Sequence, residues 1–81
     1  MTQQVTRQIV GYDPKTEAVA VELDIPREQW RYVTSLIPGN PEDPDYVFNY
    51  PLDKGLANDI MRLIGQPPAQ NLNYFLECAY D

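Results

Sequence analysis

The alternation of hydrophobic and polar positions is most regular in residues 18–25. Every second side chain there is a branched aliphatic one, at Val19, Val21, Leu23 and Ile25. This period of two is typical of a strand with one buried face. A second strand-like run occupies residues 6–12, and residues 13–16 between the two runs favour a type I β-turn. The pattern therefore predicts a β-hairpin with one covered face.

Two registers of this hairpin are compatible with the turn. A four-residue loop pairs Tyr12 with Val19, Val10 with Val21, and Arg7 with Asp24. A three-residue loop instead pairs Tyr12 with Ala18, Val10 with Ala20, and Gln8 with Glu22. We expect the first register, because aromatic, branched and oppositely charged cross-strand pairs stabilise a sheet.

Helical spacing of apolar side chains follows the hairpin. Pro26 suits the first position of a helix, and an apolar stripe then recurs at Trp30, Val33, Leu36 and Ile37. Pro38 and Gly39 should end this helix. We expect its stripe, with Trp30 largely buried, to cover the hairpin.

Residues 38–45 contain three prolines and three acidic side chains, and they predict an exposed acidic loop. Residues 46–50 are rich in aromatic strand formers and predict a third strand that ends at Pro51. Asp53 then suits the N-cap of a second helix that continues to Gly65. Alternation in residues 74–80 predicts a final strand at an interior position of the sheet.

These elements predict a small α+β domain of order β-β-α-β-α-β that comprises residues 1–81. One four-stranded sheet should carry two helices packed on one face. The sheet is expected to be mixed or antiparallel, and the connection through the second helix has the length of a right-handed crossover, which would allow the third and fourth strands to be parallel.

Charge limits the partners. Twelve acidic and six basic side chains give a net charge of −6, and the basic side chains are scattered singly. Nucleic acid binding needs a clustered positive surface, so we expect a basic protein partner instead. No apolar run is long enough to span a membrane, and the first residues do not resemble a signal peptide. We therefore expect a cytoplasmic monomer or small homo-oligomer.

Few residues are available for catalysis. Histidine is absent, which removes the commonest general base and histidine-based metal sites. Cys78 is the single cysteine, lies on the more apolar face of the last predicted strand, and is expected to be a buried core residue. We predict no catalytic residue, cofactor site or metal site, and hence no enzyme.

A partner-binding surface is predicted where the acidic loop meets the third strand. It comprises Glu42, Asp43, Asp45, Tyr46, Phe48 and Tyr50. Acidic side chains attract a basic partner, and tyrosine is enriched at protein interfaces. Core packing is the competing role of the three aromatic side chains, and a solvated loop that of the acidic ones.

Three short motifs resemble a small bacterial family of unassigned function. They are the hairpin from Tyr12 to Glu17, the Tyr50-Pro51 strand end, and the C-terminal Tyr74-Phe-Leu-Glu77. The resemblance implies a bacterial cytoplasmic protein of one domain, and it brings no activity or catalytic residue.

Two classes of function remain. The first is a non-enzymatic acidic protein-interaction domain, such as a bacterial immunity-type inhibitor of a basic toxin. The alternative is an accessory or regulatory module that self-associates through a sheet face or edge.

Overall fold

The computed structural model describes residues 5–43, 46 and 49–80, and it confirms the predicted α+β fold. One antiparallel sheet has the strand order β2-β1-β4-β3. A short 3-10 turn, Arg27–Gln29, leads into the first helix. The elements are β1 Val5–Tyr12, β2 Val19–Asp24, α1 Trp30–Leu36, β3 Tyr50–Leu52, α2 Lys54–Leu63 and β4 Asn73–Tyr80.

A turn lies at the predicted place, but its backbone hydrogen bond runs from the Glu17 N–H to the Asp13 carbonyl at 2.8 Å, one residue beyond that of a type I β-turn. One aspartate holds it. Asp13 Oδ1 accepts hydrogen bonds from the backbone N–H of Lys15 at 2.8 Å and of Thr16 at 3.1 Å. These bonds lower the pKa of the Asp13 carboxyl below its usual value. The turn is therefore encoded locally, by a side chain that pairs with the backbone that follows it.

The predicted register of the hairpin is correct only beside the turn. Tyr12 pairs with Val19 as expected, but a β-bulge between Gly11 and Tyr12 then shifts the pairing by one residue. The predicted pairs of Val10 with Val21 and of Arg7 with Asp24 are wrong. The structure instead pairs Val10 with Glu22 and Gln8 with Asp24.

Because of the bulge, the residues of β1 that share a face with Val21 and Leu23 are the opposite set from the one predicted. Ile9 is fully buried in the core under the helices, whereas Val10, which is only 2% exposed, lies among the side chains of the opposite face. Gly11 lies on the same face as Ile9. A Cβ added to it would lie 3.0 Å from both Leu72 Cδ1 and the Tyr74 ring. Glycine suits this position because the backbone and the Tyr74 ring approach so closely that an added Cβ would push on the ring.

The first helix is shorter than predicted and buries only part of its stripe. Val33 and Ile37 are buried, Trp30 is half-buried and Leu36 is 40% exposed. Ile37 adopts an extended conformation, as a residue before proline prefers, and this ends α1 as expected.

The second helix has both predicted ends. Asp53 accepts a hydrogen bond from the Leu56 N–H at 2.8 Å, which confirms the N-cap. At the other end Gly65 has a φ of 75°. The Gln66 N–H donates to the Met61 carbonyl at 2.9 Å, which is the Schellman arrangement that glycine permits.

The third strand lies later in the chain than predicted. It is Tyr50–Leu52, so Pro51 is inside it rather than beyond it. Proline is tolerated there because β3 is an edge strand of the sheet. The expected interior position of β4 is confirmed, since β4 lies between β1 and β3.

Of the two sheet types left open by the sequence, the structure has the antiparallel one, because β3 and β4 are antiparallel rather than parallel. The segment after α2 doubles back along that helix, where the Ala69 N–H donates to Asn58 Oδ1 at 2.7 Å. This segment brings the chain back toward the start of α2 before β4 begins. β4 therefore runs in the direction opposite to β3.

Both helices cover one face of the sheet and form the core there. The largest fully buried side chains are Ile9, Val33, Ile60 and Leu76. Neither helix has the length and apolar character needed to cross a membrane.

Candidate interaction surface

The predicted acidic loop contains a buried carboxylate. Asp43 is only 2% exposed, so the expectation of a fully exposed loop is wrong at this residue. Its Oδ2 accepts a hydrogen bond of 2.5 Å from the Tyr50 hydroxyl. This bond to a carboxylate raises the pKa of Tyr50 to about 12. Asp43 therefore anchors the loop to β3.

Tyr46 and Tyr50 also pack inward. The Tyr46 hydroxyl donates to the Ile37 carbonyl at 3.1 Å, which ties the loop to the end of α1. The Tyr46 ring meets the Trp30 ring edge-on at 5.7 Å and the Tyr50 ring at 5.5 Å, measured between centroids. The Arg7 guanidinium lies 4.9 Å from the centre of the Trp30 ring. Both tyrosines therefore have the packing role that competed with partner binding.

Of the remaining predicted partner-binding residues, the structure describes Glu42. Glu42 is exposed, and its N–H donates to Asn40 Oδ1 at 3.0 Å. Asp45 and Phe48 lie outside the described residues. Contact of the six predicted residues with a partner therefore stays a prediction.

The sheet face opposite the helices has a different composition. Because Ile9, Tyr74 and Leu76 belong to the core, the residues that alternate with them face away from it. No described helix covers this side. We call it the open face, and it comprises Gln8, Val10, Tyr12, Glu22, Asp24, Phe75 and Glu77.

Neutral donors hold the carboxylates of the open face in place. Gln8 Nε2 donates to Asp24 Oδ1 at 2.9 Å and to Glu22 Oε1 at 3.4 Å. The Tyr12 hydroxyl donates to Glu77 Oε2 at 2.5 Å. That hydrogen bond and partial burial raise the pKa of Tyr12, so its phenol stays a donor at neutral pH.

No described cation neutralises these three carboxylates. The only basic residue on β1 is Arg7, and it points to the opposite face, over Trp30. The ion pair that the described residues do form, Arg62 with Asp59 at 3.9 Å, lies on α2. The open face is therefore negatively charged, and its charges are oriented by neutral partners.

A shallow groove of about 400 Å³ lies at the hairpin end of the open face. Its floor contains Tyr12 and Phe75, whose rings meet edge-on with centroids 5.7 Å apart. Four further carboxylate or amide side chains border it beside Glu77, namely Asp13, Glu17, Asn49 and Asn73. Aromatic rings next to carboxylates favour a cationic side chain with an apolar stem, such as lysine or arginine.

Among the residues that the structure describes, no three acidic or cysteine side chains come together in a way that could hold a metal ion. Cys78 is half-buried rather than fully buried, on the helix side of β4.

Comparison with known proteins places the chain in a family. A family described as a domain of unknown function, DUF7683, matches residues 6–77. The chain belongs to this family. The DUF7683 match extends from β1 into β4, so it includes the open face and agrees with the predicted membership of a family of unassigned function. No curated protein and no solved structure matches the chain.

Sequence reasoning found only part of the open face. Alternation within β2 placed Glu22 and Asp24 on the uncovered side. It missed the pair of Tyr12 and Glu77, because the predicted register put Tyr12 on the covered face with Val19. The alternation of charged and apolar residues in β2 therefore indicated part of the open face, whereas no sequence pattern indicated the bulge.

Proposed function

We propose that this domain is a non-enzymatic protein-interaction domain that binds a basic protein partner through the open face. The observation that carries the proposal is the set of three carboxylates, Glu22, Asp24 and Glu77, held by neutral donors and unpaired with any described cation. Oriented charges of one sign accelerate encounter with a partner of the opposite sign.

The chemistry of the chain supports binding rather than turnover. Histidine is absent, and the single cysteine lies on the helix side of the sheet. A net charge of −6 opposes contact with nucleic acid. The aromatic pair of Tyr12 and Phe75 adds the apolar contact that a specific interface uses beside its charges.

An immunity-type inhibitor in the bacterial cytoplasm is the form of this function that we favour. An inhibitor of a cationic toxin needs a small, rigid and strongly acidic surface, and it needs no catalytic group of its own. The gene should then lie beside a toxin gene. A neighbourhood without one, seen repeatedly in relatives of the family, would argue for a different basic partner.

The predicted loop supplies a second contact region in this proposal. Glu42 is exposed, and Asp45 and Phe48 complete the predicted set. Asp43 and Tyr50 instead position the loop, since their side chains bond to one another. Replacing Glu42 by Gln together with Asp45 by Asn should slow association without loss of folding.

Self-association is the alternative, and the open edge of β2 favours it. A symmetric contact between two open faces, however, would bring like carboxylates together, which is repulsive. Sedimentation should therefore report a monomer at neutral pH. A stable dimer that survives physiological salt would support the alternative.

The proposal is tested by affinity capture from an extract of the native cell. The wild-type domain should retain a basic protein, and Glu22→Gln with Asp24→Asn should lose it. The matched control is Glu28→Gln with Asp59→Asn, which makes the same charge change at exposed positions on the helical side. Equal capture by both double variants would reject the open face as the binding surface. If the captured protein is a toxin, the domain should inhibit it, and uninhibited toxin activity would reject the immunity role.

A further inference from the structure

The outer edge of β2 is available for another strand. β2 ends the sheet order, and the described part of the chain supplies no strand beside it. Val19, at the start of this edge, is 54% exposed. An uncovered edge presents unpaired backbone groups that can template pairing with a further chain.

One hydrogen bond fixes which backbone groups point outward. The Ile25 N–H donates to the Arg7 carbonyl at 2.8 Å. In an antiparallel ladder the bonding direction alternates, so Leu23 and Val21 also face β1. The backbone N–H and C=O of Glu22 and Asp24 therefore point away from the sheet.

The two sides of this edge differ in chemistry. On the open face, the side chains of Glu22 and Asp24 flank the edge. On the helix side, a second groove of about 220 Å³ begins at Val21 and Leu23. Its other walls are mainly apolar and include Met61, Pro67, Pro68 and Tyr74.

We propose that an extended segment of a basic protein, with alternating basic and apolar residues, adds to β2 as a fifth strand. Its backbone would pair with Glu22 and Asp24, its basic side chains would meet their carboxylates, and its apolar side chains would enter the groove beside Leu23. Successive side chains of a strand point to opposite faces, so an alternating segment satisfies both sides at once.

The same edge discourages a second copy of this chain. A symmetric antiparallel pairing centred on Glu22 would set two Glu22 carboxylates opposite one another, and like charges at that position are destabilising. Charged side chains are a common protection of exposed strand edges. Here the protection excludes acidic strands and leaves basic ones acceptable.

This inference rests on the proposed function, because it names the segment that the acidic surface recognises. The probe is a peptide of four Lys-Val repeats, and amide hydrogen exchange is followed in the full chain. At saturating peptide, exchange of the Glu22 and Asp24 amides should slow roughly tenfold or more, since a paired N–H exchanges only on opening. The Val21 and Leu23 amides, which already face β1, are the internal control and should change little.

Two peptide controls separate backbone pairing from charge. A peptide of Lys-Thr repeats keeps the charge and strand propensity but loses the apolar contact, and it should bind more weakly. Two further versions of the Lys-Val peptide carry N-methyl groups, one on every Lys and the other on every Val. At most one of them should protect the Glu22 and Asp24 amides, because an antiparallel strand uses only every second N–H at each edge.

The outcomes distinguish the two proposals. Peptide binding that leaves the Glu22 and Asp24 amides unprotected would overturn strand addition. If that binding is then lost in the double variant Glu22→Gln with Asp24→Asn, the proposed acidic interaction surface would still hold. Protection that is unchanged in that double variant would support strand addition and contradict the charge-based function. No peptide binding, or protection of these amides that rises with protein concentration alone, would overturn strand addition to β2 by a basic segment.

Discussion

The two faces of the sheet are formed by alternate residues of the same strands, yet their chemistry is opposite. On the covered face Ile9 and Leu76 pair with one another and are fully buried. One residue further along, on the open face, Gln8 lies opposite Glu77. The covered face is required for folding, whereas the charges of the open face contribute little to burial. Substitutions on the two faces should therefore separate stability from binding.

The largest expected difference concerns Leu76 and its neighbour Glu77. Leu76→Ala removes a fully buried side chain and should lower the free energy of unfolding by about 2–5 kcal/mol. Glu77→Gln keeps an acceptor for the Tyr12 hydroxyl and should change that free energy by no more than about 0.5 kcal/mol. Urea denaturation measures both, and equal losses would contradict the assignment of the faces.

Gly11 tests the close packing on the covered face. The Cβ of Gly11→Ala would lie 3.0 Å from Leu72 Cδ1 and the Tyr74 ring, and the variant should be destabilised by about 1–3 kcal/mol. Gly55→Ala is the opposite case, because Gly55 is exposed in α2 and an added Cβ meets only Asp53 Oδ1 at 3.5 Å. It should stabilise the domain by about 0.5–1 kcal/mol. A Gly11→Ala variant as stable as the wild type would show that Leu72 and Tyr74 are not packed this closely on Gly11.

Two adjacent acidic residues sharpen the distinction between structural and surface charge. Asp43→Ala leaves the Tyr50 hydroxyl without its acceptor and should cost about 1–3 kcal/mol of unfolding free energy. Glu42→Ala, at an exposed position, should stay within about 0.5 kcal/mol of the wild type. Thermal and chemical denaturation of the pair would show whether Asp43 anchors the loop, and indistinguishable variants would mean that it does not.

Ionisation of the Tyr50 phenol should have a smaller effect on the stability of the domain, and only at alkaline pH. Its pKa is raised from the model-compound value of 10.0 to about 12 by the bond to Asp43. The associated stability is present below pH 10 and is lost as the pH rises toward 12, because ionised Tyr50 would repel Asp43. Ultraviolet titration should show one tyrosine ionising late, and Asp43→Asn should shift it toward lower pH. Titration of that tyrosine near its ordinary pKa in the wild type would disprove the contact.

Patterns within single elements predicted most of the fold. Alternation in β2, the Asp53 cap and Gly65 at the end of α2 act over a few residues, so the sequence shows them directly. The bulge after Gly11 depends on how two strands meet, and no local pattern marks it. Its result is that Ile9 joins the core under the helices, whereas Val10 is buried on the other face of the sheet.

The third strand and the candidate surface were harder to predict, because they also depend on contacts between separate parts of the chain. Strand propensity favoured residues 46–50, of which 47 and 48 lie outside the described residues. The Tyr46 side chain packs against Trp30 and donates a hydrogen bond to the Ile37 carbonyl, and β3 is Tyr50–Leu52. Propensity is overridden when tertiary contacts are available. Asp43 was expected to face water because charges usually do, and its partner Tyr50 lies seven residues along the chain.

Association kinetics with the captured basic protein, at low and at physiological salt, test the central claim most directly. Glu22→Gln with Asp24→Asn should slow association at low salt by roughly tenfold and weaken its salt dependence, because the steering charges are removed. The control pair, Glu28→Gln with Asp59→Asn, carries the same net charge and should associate at close to the wild-type rate. If the two double variants associate equally fast, net charge alone steers the partner, and the open face is not its binding surface.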